Sequence, residues 1–229
     1  TIGQGIDKSA TFNGITPVTA TVDVNRPIGA LLFSGANHTL AAGTGSLPLD
    51  GDTILTTPTV TVADGFTATI SAPLNGSEGL LKSGTGTLVL SGTNTYGGTT
   101  EISQGTLRYQ GGSFASETHT IASGAVLELN VPTGTYNGGS TTINGAGTLR
   151  KTGAGELIWP ATSATFALDP GALIDVQEGT FIAGSYANEN WAANASDLHV
   201  AAGATFITVE ANVRLDKITG AGTLSTGFN

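Results

Sequence analysis

The chain has 229 residues, of which 34 are glycine, 39% are hydrophobic and only 11% are charged; 8 basic residues against 17 acidic give a formal net charge of −9. That balance excludes the basic stripe needed to neutralise phosphates or to hold an anionic membrane surface, so nucleic acid is not an expected partner. Cysteine is absent, which removes thiol chemistry and cysteine-ligated metals, and no apolar run of about 18 residues is present to span a bilayer as a helix.

Hydrophobic content with few charges argues for a folded chain. Apolar residues alternate in short runs and are nowhere sustained at helical spacing. In chain order the predicted strands include "TATVDV" at 19–24, "TVTVADGFTATI" at 59–70, "GTLVLSG" at 86–92, "AVLELNV" at 125–131 and "ATFITVEANVRL" at 204–215. Glycine, asparagine, aspartate, serine or proline bounds each run, as turns require. Between the first two runs, "LDGDT" around Asp50 and Asp52 reads as a hairpin turn, since no glutamate closes a 12-residue calcium loop.

The same short elements return along the chain. "GTGTLVLSG" at 84–92, "GAGTLRKTG" at 145–153 and "GAGTLSTG" at 220–227 share G-x-G-T-L, while "QGTLRY" at 104–109 and "EGTFIAG" at 178–184 share G-T-[LF]. Such self-similarity at a period of roughly 20 to 30 residues is the mark of a solenoid. A coil of parallel strands puts aliphatic side chains inward and glycine and threonine at its corners. At about 20 to 25 residues per coil, the chain predicts an all-β solenoid of about ten coils.

One stretch is more specific. "GLLKSGTGTLVLSGTNTYGGTTEISQGTLRY" at 79–109 closely resembles the autotransporter-associated β-strand repeat, also called the passenger-associated transport repeat, with Lys82, Gly84, Gly86, Asn94, Tyr96 and Gly105 among the matching positions. A degenerate copy lies at 145–166, keeping Lys151, Gly153 and Gly155 but placing Trp159 and Pro160 where Ser-Gly is expected. The resemblance implies a right-handed parallel β-helix in the passenger of a protein secreted by, or held on the outer surface of, a Gram-negative bacterium. It implies no catalytic residue. Residues 1–229 are accordingly expected to be a single β-solenoid segment of a larger surface protein, a rigid stalk that aids export or folding at the surface and serves adhesion. Alternatives are a carbohydrate-binding or polysaccharide-active β-helix and a self-assembling extracellular filament subunit.

Searching for chemistry returns little. His38, His119 and His199 lie far apart with no HxH or HExxH, so they read as surface or rung-edge residues. The carboxylates are scattered and read as solvated turn residues; stackings such as Glu128 with Glu156 or Asp175 would be needed for glycoside chemistry. No nucleophile elbow or phosphate loop is satisfied. No catalytic, cofactor or metal residues are therefore assigned, and no cofactor is expected. The segment "SYANENWAANAS" at 185–196 breaks the rung pattern and reads as an excursion loop. Trp191 and Tyr186 within it, with Trp159, are the possible ligand contacts, the ligand being a surface polysaccharide or a host or neighbouring cell surface; the bland reading packs Trp191 against the neighbouring face as a local cap or short helix. End-to-end self-association is a further expected interaction.

Overall fold

A computed structural model describes residues 8–51, 57–111, 118–159, 165–184, 191–209 and 213–227. The described residues form strands, with no helix among them, and every strand pairing within a unit is parallel. The chain divides into two compact units, Thr1–Glu117 and Thr118–Asn229.

In the first unit, one face is built from Ser9–Phe12, Ala30–Phe33, Thr59–Val62, Leu80–Ser83 and Thr100–Ile102. A second face stacks Thr19–Val22, Thr39–Ala42, Thr67–Ile70, Thr87–Leu90 and Thr106–Gln110. The third side is mostly irregular, with the short pair Leu47–Pro48 and Leu74–Asn75. The second unit has a first face of Thr118–Ile121, Thr142–Gly145 and Thr165–Leu168. Its second face runs Val126–Asn130, Thr148–Thr152, Leu173–Val176, Asp197–Val200 and Ile218–Gly220. Its third runs Thr135–Asn137, Glu156–Trp159, Thr180–Ala183, Thr205–Thr208 and Thr223–Thr226.

Successive strands in the chain lie on different faces, and each pairs with the strand one coil away. This is a β-solenoid of about nine turns. Paired residues stand from 18 positions apart (Thr205↔Thr223) to 30 (Thr39↔Thr69), so the longer coils bring the total slightly below the expected ten. Asp52 and Thr53 of the turn expected at "LDGDT" lie outside the described residues. Just before them, Ile28 and Leu49 form a parallel bridge, Asp50 N–H donates to Ile28 O at 3.0 Å, and Asp50 itself pairs with Lys8 at 2.8 Å.

Inward positions repeat by register. Leu127, Leu149, Ile174 and Leu198 form one buried column, and Leu157, Phe181 and Phe206 another. Each such side chain contributes about 1.5–3 kcal/mol by leaving water. Stacking thus holds the coils together, because an isolated coil could not cover its own apolar side.

Two inward positions are not apolar. Lys82 continues the column Leu31, Val60, Lys82, Ile102, and Lys151 stands between Leu129 and Val176. Both are buried.

Candidate functional site

The two described aromatic candidates are core residues. Trp191 is 1% exposed and stacks on Phe166 at 4.1 Å between ring centroids and 11° between planes; Trp159 is 2% exposed and meets Phe166 edge-on at 5.3 Å. Phe181 and Phe206 complete the cluster. Sugar stacking needs an open aromatic face, and neither indole offers one. The turn from Trp191 is pinned by buried Asn194, whose side-chain amide donates to Ser196 Oγ at 3.0 Å and to Arg214 O at 2.7 Å. Trp191 is therefore a packed cap on Phe166. Tyr186 and the rest of 185–190 lie outside the described residues.

The polar side chains brought together by the fold lie elsewhere. On the outward side of the second face in the second unit, Glu128, Arg150, Asp175 and His199 are register partners in one column. Arg150 Nε donates to Asp175 Oδ2 at 2.8 Å, His199 Nδ1 stands 3.0 Å from Asp175 Oδ1, and Gln177 Nε2 donates to the same oxygen at 2.5 Å. Asp175 is only 3% exposed, covered by the partners that bind it. Burial alone would raise its carboxyl pKa, but the hydrogen bonds from Arg150, Gln177 and His199, with the Arg150 charge, hold it below the ordinary value. One rung away, Thr152 Oγ1 donates to Glu128 Oε1 at 2.7 Å, and Asn130 Nδ2 donates to Thr152 Oγ1 at 3.0 Å.

Glu128 and Asp175 are thus not solvated turn residues. They lie on strands and are nearly buried. The histidine expectation also fails for two of three, since His38 and His119 are 2% and 0% exposed. His38 Nδ1 accepts from Val18 N–H at 3.2 Å, so Nε2 carries the proton toward Ser34 O at 3.1 Å. Burial pushes the His119 imidazole down to about 3, so it stays neutral. His199 alone reaches the outer surface.

In 79–109 the G-x-G-T-L element is a corner. Gly84 has φ +72°, and a Cβ there would lie 2.3 Å from Val62 O on the preceding coil; at Gly86 it would lie 2.2 Å from Ala63 O. Only hydrogen fits in either place. The Lys82 stem packs in the aliphatic column, and its Nζ donates to Ser83 O at 2.9 Å, Gly84 O at 2.7 Å and, one coil on, Gln104 O at 3.1 Å. Burial pushes the ammonium down to about 8, which leaves all three donors in place at neutral pH. On the third side, Tyr96 Oη lies 2.8 Å from both Thr100 Oγ1 and Tyr109 Oη in the buried interior. These are structural roles, and no group among them is both exposed and reactive.

Residues 80–108 match the family Passenger-associated-transport-repeat. The chain carries a passenger-associated transport repeat. It is also 35% identical over 159 residues to the Adhesin BmaC autotransporter of Brucella suis biovar 1 (strain 1330). That alignment covers 65% of this chain and 4% of the adhesin's length, so the chain corresponds to a small part of that relative. No solved structure matches the chain.

The transport repeat has a second corner of the same geometry in the degenerate copy. Lys151 Nζ donates to Thr152 O at 2.9 Å, Gly153 O at 2.7 Å and Glu178 O at 3.1 Å. Burial lowers this amine to about 8 as well, partly offset by the Glu178 charge. Gly153, with φ +81°, and Gly155 again abut the preceding coil. The repeat's corner thus recurs between Thr148–Thr152 and Glu156–Trp159, and the Trp159-Pro160 departure falls after the part that forms the clamp.

Proposed function

We propose that residues 1–229 serve as a non-enzymatic passenger segment of a larger protein that is secreted by, or displayed on, a Gram-negative cell, and that the segment is a rigid β-helical stalk supporting adhesion. The observation that supports this most is the use of the transport-repeat residues: Lys82, Gly84, Gly86 and Tyr96 all go into coil corners and core, with none left for chemistry. The likeness to an adhesin autotransporter supports the surface setting. The repeat aids export or folding by closing each corner onto the next coil.

The test is an in-frame deletion of 80–108 in a translocator fusion, with surface-exposed protein measured by protease shaving. A severalfold fall in surface display is expected. Unchanged display would remove the export role, and release of sugar ends from polysaccharide by the purified chain would remove the non-enzymatic one.

A further inference from the structure

We infer that Arg150, Asp175, Gln177 and His199 form a binding subsite for the hydroxyl groups of an uncharged polysaccharide, a proposal that rests on the surface-passenger reading above. An ionised carboxylate only accepts hydrogen bonds, so the His199 proton facing Asp175 sits on Nδ1. In the neutral ring, Nε2 then offers a lone pair on the side away from Asp175. Arg150 likewise spends Nε on Asp175, which leaves its terminal nitrogens directed elsewhere. Among the described residues neither these nitrogens nor His199 Nε2 has a hydrogen-bond partner.

The exposures fit a presenting device. The Asp175 side chain is 4% exposed, whereas those of Arg150 and His199 are 37% and 35% exposed. A buried acid thus holds a donor fork and an acceptor on either side of itself, two rung steps or about 9.6 Å apart. Gln177, bound through Nε2, adds its carbonyl oxygen as a further acceptor. Half-buried Leu173, two residues before Asp175 on the same outward side, supplies an apolar contact for the C–H face of a sugar ring. A mixed set of fixed donors and acceptors beside a small apolar patch suits alcohols, which both donate and accept.

Charge selects the class of polymer. Glu128 and Asp175 flank Arg150 in register, and the chain as a whole carries −9. An acidic polysaccharide would be repelled. Neighbouring Asp197, in the adjacent outward column, adds to that bias.

The experiment is calorimetric titration of the purified chain with cellohexaose, mannohexaose and polygalacturonate, together with long-range 15N–1H spectra of the histidine side chains. One of the neutral hexaoses is expected to bind and to move the His199 Nε2 signal while leaving buried His38 and His119 unmoved. R150Q and H199Q should each weaken binding about tenfold, the worth of one hydrogen bond. Should R150Q unfold, H199Q and the wild-type His199 signal still decide the matter. Binding by neither hexaose, undiminished binding in both variants, preference for polygalacturonate, or capture of only protein ligands would each overturn the subsite. Protease shaving of the displayed wild-type chain separates the two claims: normal display without hexaose binding removes the subsite and leaves the passenger reading, whereas lost display removes the latter.

Discussion

Lys82 donates to the carbonyl of Gln104, one coil further along, at 3.1 Å, and Lys151 does the same to Glu178 at the same distance. Each ammonium also binds two carbonyls of its own corner. One side chain thereby joins two coils through their backbones. Lys82→Met keeps the stem and deletes the charge, leaving carbonyls without a donor. Urea unfolding should show a loss of about 2 kcal/mol, the scale of hydrogen bonds to a charged group, and Lys151→Met a similar loss.

The same amines make stability depend on alkaline pH. Their folded pKa values of about 8 lie below the unfolded value of about 10.4, so the unfolded chain binds more protons between those limits. Stability should therefore rise from about pH 8 to about pH 10 and be flat for these groups below that window. Thermal melts across the range check it. The double variant Lys82→Met, Lys151→Met should lose the rise, and a fall through the window in the wild type would contradict the assignment.

Two glycines separate backbone strain from coil contact. Gly65 and Gly84 both have positive φ, +76° and +72°, but a Cβ at Gly65 meets nothing within 4 Å while one at Gly84 lies 2.3 Å from Val62 O. Gly65→Ala should cost about 1–2 kcal/mol from its left-handed backbone alone. Gly84→Ala should cost clearly more, because the coil beneath must shift. Equal costs in chemical denaturation would show that the close approach is unimportant.

Trp191→Ala should destabilise the chain by about 3–5 kcal/mol, as removal of a large buried aromatic does. Wild-type tryptophan emission should be blue-shifted and insensitive to added polysaccharide, since Trp159 and Trp191 are both covered. Full stability of the variant, with loss of ligand binding, would instead restore a contact role to Trp191.

The coils were readable from sequence because alternation and G-x-G-T-L express local demands: one inward side chain in two, and a corner without a Cβ. Lys82 was less readable. Its inward parity with Leu80 conflicts with its charge, and only the carbonyls of Ser83, Gly84 and Gln104 resolve the conflict. Trp191 misleads because a tryptophan among polar residues resembles an exposed loop, whereas Phe166 provides a ring to cover. The Arg150, Asp175 and His199 column leaves no local signal at all. Its members are 25 and 24 positions apart, and coil length alone sets them in register.

The most direct measurement is amide hydrogen exchange on the wild type and on Lys82→Met, read at the corner 83–86 and at the next coil's corner 103–106. If Lys82 clamps two coils, exchange should quicken at both corners together in the variant while the second unit, Thr118–Asn229, keeps its wild-type rates. Faster exchange confined to 83–86, or no change at either corner, would contradict a repeat whose lysine fastens each coil to the next.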